Sequence, residues 1–175
     1  MWIRDALPRA MPNLQPILYG CDTKLSNSSS FQSVADIASS LIESLKILKR
    51  TNWPPRPLVF VAHSMGGIVL KEVVAILANS KDASEREMLK AYFRGGVLFG
   101  VPSHGMNINA LRTMVNGKPN ERMVLDLGES SEYLRSLDDR FAGISVLLDM
   151  KLFWAYETKT SPTVMVSCPP NKRIN

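Results

Sequence analysis

Histidine and cysteine are both scarce in this sequence, with two of each in 175 residues. Cys21 and Cys168 stand far apart and neither belongs to a C-x-x-C pair, so a zinc ribbon or a dithiol redox site has no support. Spacing does not decide whether the two form a disulfide; two free thiols in a reducing compartment are the expectation, and no bound metal. Aromatic residues are few, and basic residues form only short clusters, Lys46 with Lys49 and Arg50, then Lys172 with Arg173. The net charge of +5 therefore reads as a solvated surface, with no nucleic-acid face. Long apolar runs are absent as well: Lys71 and Glu72 interrupt the most hydrophobic segment well short of the roughly 18 residues of a transmembrane helix. The opening MWIRDALPRAMP has charges and prolines where a secretory signal carries an apolar core. Internal repeats are missing too, and Ser28 to Ser30 is the one low-complexity stretch.

What is present is enough apolar residue, 45% of the chain, to bury one domain core. "LQPILYG" (14–20) reads as a short strand running into a polar, turn-rich loop. Val34, Ile37, Ala38, Leu41, Ile42, Leu45 and Leu48 recur every three or four residues, which predicts an amphipathic helix. Ser33 followed by Asp36 resembles a capping pair at its start, and "NWPPRP" (52–57) stops it. Leu58 to Ala62 is a continuous apolar strand of the kind expected when both faces of a parallel sheet are covered. Ile68 to Ala78, apolar nearly all round, predicts a buried helix. "GGVLFGVP" (95–102) is a further strand, residues 107–145 read as two or three short helices, and "KLFWAYE" (151–157) is a last strand. The order β-α-β-α-β-α-β predicts an α/β fold with a parallel sheet of about four strands and flanking helices.

The chemistry concentrates at "VFVAHSMGGIVL" (59–70), where an apolar strand turns into an uncharged helix at a serine. A nucleophile elbow needs such a turn, and small residues must flank the serine because the backbone there is crowded. Ala62, Gly66 and Gly67 supply them, although alanine stands where the G-x-S-x-G pattern has its first glycine. In that role Ser64 is the nucleophile, and the Met65 amide at the helix start donates to a developing oxyanion. A base must come from a histidine. His63, inside the turn, points away from the site and is expected to pack structurally. His104 lies in the loop after the strand expected beside the elbow strand, so it is the candidate base, but in this fold histidine normally follows the acid in the chain. Glu157, at the end of the last strand, is the candidate acid, and Asp149 falls just before that strand. No segment makes a phosphate loop, and no cofactor is expected.

"AHSMGGIVLKEVV", "GGVLFGVPSHG", "SEYLRSLDDRF" and "YETKTSPTV", in this order, resemble the serine esterase family of the α/β-hydrolases over about residues 2–166. Within it they look most like fungal domains similar to the serine-active-site-containing lipase-like proteins, and more distantly like the GPI inositol-deacylases. The resemblance implies an α/β-hydrolase domain over 1–166 with an irregular tail over 167–175. It implies hydrolysis of a carboxylic ester or lipid by a Ser-acid-His triad, with Ser64 matching the nucleophile and Glu157 the acid. An intracellular setting is implied, in cytoplasm or at a mitochondrial or endoplasmic-reticulum membrane. The family pattern also has an earlier strand with a His-Gly loop that supplies a second oxyanion amide, and a histidine on a strand beyond the "YET" region. Neither occurs in these residues, so the expectation is a domain truncated at both ends, and loss of one oxyanion donor costs roughly 3–4 kcal/mol of transition-state stabilisation. Two readings stay open: a serine hydrolase, or a non-catalytic remnant or effector module of a larger signalling protein. On the second, a protein partner is expected to cover an exposed sheet edge.

Overall fold

A computed structural model of the protein describes residues 2–21, 30–50 and 56–156. Two short helical turns, α1 (Trp2–Asp5) and α2 (Leu7–Ala10), open the chain. Helix α3 (Val34–Arg50) follows the predicted stripe: Val34, Ile37, Ala38, Ile42 and Leu45 are buried. Its start is a reciprocal capping box. The Ser33 amide donates to Asp36 Oδ2 at 2.8 Å while the Asp36 amide donates to Ser33 Oγ at 3.2 Å, so donors at the helix start that have no partner within the helix are satisfied.

Three strands form the sheet, in the order β1 (Leu58–His63), β2 (Phe93–Phe99), β3 (Lys151–Ala155), all parallel. The crossover from β1 to β2 runs through α4 (Met65–Ala78) and α5 (Ala83–Tyr92), and that from β2 to β3 through α6 (Asn109–Val115), α7 (Glu121–Asp126) and α8 (Glu132–Leu147). This is an α/β architecture: a parallel sheet with flanking helices. Helix α4 is its hub, in contact with α3, α5, α8 and β1. Its burial is nearly continuous from Gly67 to Ala75, as an all-round apolar helix requires.

The helices cover one face of the sheet. Phe60, Leu152 and Trp154 pack into the core with Leu98, and a side chain at Gly96 would meet Leu70 of α4 on this side. The opposite face holds Val59, Val61, Phe99 and Phe153, which are 66, 58, 42 and 68% exposed. The expectation that Leu58 to Ala62 is covered on both faces therefore fails; burial alternates residue by residue along β1. An apolar run predicts burial on two sides only when a second layer of helices is present, and among the described residues that layer is absent.

Residues 14–20 do not form the predicted strand. Pro16 removes a ladder donor, and Leu14, Ile17 and Leu18 are exposed; the segment is tied down instead by the Tyr19 hydroxyl, which donates to the Ile37 carbonyl at 3.2 Å. The described sheet thus has three strands where about four were expected. Helix α5 is an addition to the sequence reading. Its start is marked by Asp82, whose carboxylate accepts from the Ser84 amide at 2.7 Å.

Candidate functional site

Ser64 stands alone between the last residue of β1 and the first of α4. Its backbone has φ 51° and ψ −125°, a left-handed conformation that a residue with a Cβ adopts at a cost of roughly 1–3 kcal/mol. Two hydrogen bonds hold it there. The Ser64 amide donates to the Phe99 carbonyl at 2.9 Å, which continues the β1–β2 ladder into the turn, and the Gly67 amide donates to the Ser64 carbonyl at 3.0 Å. The strain is thus sustained by sheet register on one side and by the helix start on the other.

The next two amides, of Met65 and Gly66, open α4 and have no acceptor within the helix, so they point their donors out of its N-terminus. The two glycines differ. A Cβ at Gly67 would collide with the Val101 side chain, so glycine here lets the loop after β2 press against α4. A Cβ at Gly66 meets nothing within 4 Å among the described residues. The crowding expected at both glycines is found at Gly67 alone.

His63 is exposed on the open sheet face, in register with Phe99 and Ala155. It faces away from the covered core, and the packing role expected of it is not seen among the described residues, where no second layer lies on that face. His104 is in the loop that follows β2, and β2 does pair with β1 as expected. Its side chain is exposed, and among the described residues neither it nor the Ser64 hydroxyl makes a side-chain hydrogen bond. Asp149 is exposed, has φ 48° and pairs with Lys151 at 2.8 Å, at the start of β3 and so at the end of the sheet opposite Ser64. Glu157 lies outside the described residues, as do Cys168 and the tail over 167–175. A shallow cavity of about 340 Å³ lies beyond the His104 loop, lined by Met106, Ile108, Leu125 and Glu129 among others, and Ser64 does not line it.

Two charges that in the sequence only interrupt an apolar run, Lys71 and Glu72, are buried below the turn. The Lys71 side chain is 2% exposed. Its ammonium donates to Ser103 Oγ at 2.7 Å, forms an ion pair with Asp138 of α8, and lies 4.9 Å from the centre of the Trp154 ring of β3. Its neighbour Glu72 accepts from the Tyr133 hydroxyl at 2.9 Å, with Arg140 at 3.5 Å. Burial pushes the Tyr133 phenol far above its ordinary value, and the charge of Glu72 adds to that shift. The available signal was two adjacent charges in a helix otherwise too apolar to face water; in such a place a charge must find partners. No group of three or more His, Cys, Asp or Glu side chains among the described residues is placed to hold a metal. Nor is any helix there long and apolar enough to cross a membrane.

No family model matches the chain. It is 30% identical to Protein SERAC1 of Danio rerio over 162 residues, which is 90% of this chain and 24% of that protein. It is 28% identical to Protein SERAC1 of Bos taurus over 149 residues, 80% of this chain and 21% of that protein. The chain therefore spans about a quarter or less of the length of these curated relatives. Among solved structures, a partial likeness links it to the Bacillus licheniformis lipase BlEst2 in mature form, with TM-score 0.49 and 18% identity over 70% of this chain and 47% of that one, and no assignment rests on it.

Proposed function

We propose that this chain carries the nucleophile-bearing core of a serine hydrolase acting on a carboxylic ester or lipid. The observation that carries the reading is the conformation of Ser64: a non-glycine residue held at φ 51° where a strand meets the N-terminus of a buried helix. Strain of that kind, kept at the cost of stability, is what presents a serine hydroxyl clear of its neighbours and beside helix amides. In this reading Ser64 Oγ attacks the ester carbonyl, and the charge that develops on the carbonyl oxygen is met by the Met65 amide and the positive end of α4. Glu157 is the acid of the triad and His104 the base that receives the Ser64 proton. The narrower placement among fungal serine esterase-like domains, with limits at 1–166, belongs to the same reading, as does an intracellular setting.

A second reading has its own support. The exposed His104 side chain has no hydrogen-bond partner among the described residues, and the open face of the sheet is apolar. Both suit a module that keeps the elbow as architecture and acts through a protein partner. Treatment of the purified chain with a fluorophosphonate probe separates the two, because the probe reports an activated serine without knowledge of the substrate. Labelling that disappears in Ser64→Ala is the outcome expected of the hydrolase. A folded chain that takes no label fits the interaction module.

A further inference from the structure

Residues 100–106, the loop that carries His104, meet the start of α4 where Val101 lies against Gly67, and their own hydrogen bonds are mostly local. The Ser103 amide donates to the Val101 carbonyl at 2.9 Å and the Gly105 amide to the Pro102 carbonyl at 3.0 Å. The ends are fixed by the Gly100 amide on the Ala155 carbonyl at 2.8 Å and the Met106 amide on the Leu127 carbonyl at 2.9 Å. Between those ends, the polar tie to a distant part of the fold is the Ser103 hydroxyl, which accepts from Lys71 across 32 positions of sequence. Lys71 is two helical turns beyond Ser64 on the same helix, and it is gripped from three further sides by Asp138, Phe141 and Trp154.

We propose that Lys71 is a positioning residue: its buried ammonium holds the Val101–Gly105 loop down on the start of α4 and so fixes where His104 stands relative to Ser64. The geometry of the site is that of a tether: the Lys71 ammonium donates to Ser103 Oγ while it is ion-paired with Asp138 on another side. The fit of Val101 against Gly67 supplies the apolar half of the same grip. Trp154, under the ammonium, is three positions before Glu157 in the chain. One side chain therefore touches both of the segments that lead to the candidate base and the candidate acid. This inference rests on the hydrolase reading for its catalytic meaning but not for its test.

The test compares the wild-type chain with Ser103→Ala, Ser103→Thr and Lys71→Met. Ser103→Ala removes only the loop end of the tether and leaves the Lys71–Asp138 pair intact, so it keeps the question open to measurement if Lys71→Met does not fold. Two readouts are independent of activity: amide exchange at Gly105 and Met106, and the ring resonances of the two histidines, assigned with His63→Gln. The expected result is exchange at Gly105 faster by about tenfold in Ser103→Ala and a moved His104 resonance, with His63 unchanged and wild-type behaviour restored in Ser103→Thr. Wild-type exchange and an unmoved His104 in Ser103→Ala would overturn the proposal and leave Lys71 as a satisfied core charge. Fluorophosphonate labelling is run on the same samples. A wild type that takes no label removes the hydrolase reading while the exchange data still decide the tether; a labelled wild type is expected to lose about tenfold in labelling rate in Ser103→Ala.

Discussion

At the scale of the residue, the two glycines after Ser64 make a matched pair whose substitution separates crowding from helix propensity. Gly67→Ala sets a methyl into Val101, and overpacking of this kind destabilises by roughly 1–3 kcal/mol. Gly66→Ala lies in the same helix with open space around its Cβ, where alanine gains up to about 1 kcal/mol over glycine. Urea unfolding of the two variants should give shifts of opposite sign; shifts of the same sign would mean that Val101 yields freely. Tyr133 offers a second test. Its phenol keeps its proton in the fold to a higher pH than in the unfolded chain, because burial and Glu72 both oppose the phenolate. The unfolded state thus binds fewer protons once pH passes about 10, so this contribution is present below that pH and declines above it. Tyr133→Phe should flatten the alkaline limb of the stability curve. At neutral pH it costs about 1–3 kcal/mol by leaving Glu72 short of a donor.

At the scale of the element, helix starts carry the acid sensitivity. The Ser33 amide and hydroxyl hold the Asp36 carboxyl below its ordinary range, the Ser84 amide does the same for Asp82, and Lys46 does it for Glu85. Each carboxyl binds its proton more weakly in the fold than in the unfolded chain. Their stabilisation is therefore complete above the unfolded carboxyl range of about pH 4 and is lost as pH falls through the lower folded values. Melting temperature followed from pH 6 to pH 2 should drop more steeply for the wild-type chain than for Asp36→Asn combined with Asp82→Asn. Ser33→Ala should cost about 1 kcal/mol at neutral pH. The elements also show what could be read in advance. The stripe of α3 and the apolar girth of α4 are local periodicities, visible in one chain without a partner. The failed strand at 14–20 and the unexpected α5 have a common cause: at both places the deciding signal is capping or breaking chemistry, Pro16 in one and Asp82 in the other, and the apolar pattern alone points elsewhere.

At the scale of the molecule, the dominant feature is a sheet that the described residues cover on one side. Val61 and Phe153 flank Val97 in register at the centre of the open face. Apolar surface in that arrangement binds apolar dyes and promotes association of the chain with itself. Val61→Thr combined with Phe153→Thr should lower both dye fluorescence and the association seen by sedimentation velocity. The thermal stability should change little, since neither side chain is in the covered core. Unchanged dye binding and association would show that this face is not the accessible apolar surface.

The sequence by itself determined the strands from β1 to β3 with helices between them, the seat of Ser64 between strand and helix, and the inward stripe of α3. All of these follow from sterics and periodicity among neighbours in the chain. Tertiary structure alone decided that Lys71 meets Ser103 and Asp138, 32 and 67 positions away, that Glu72 meets Tyr133, and that crowding falls on Gly67 and spares Gly66. It also decided that β1 shows Val59 and Val61 to solvent. The physical reason is the same in each case. A pattern of apolar and polar residues states which side of an element avoids water, but the partner that covers that side, or answers a buried charge, is chosen only when distant segments are brought together.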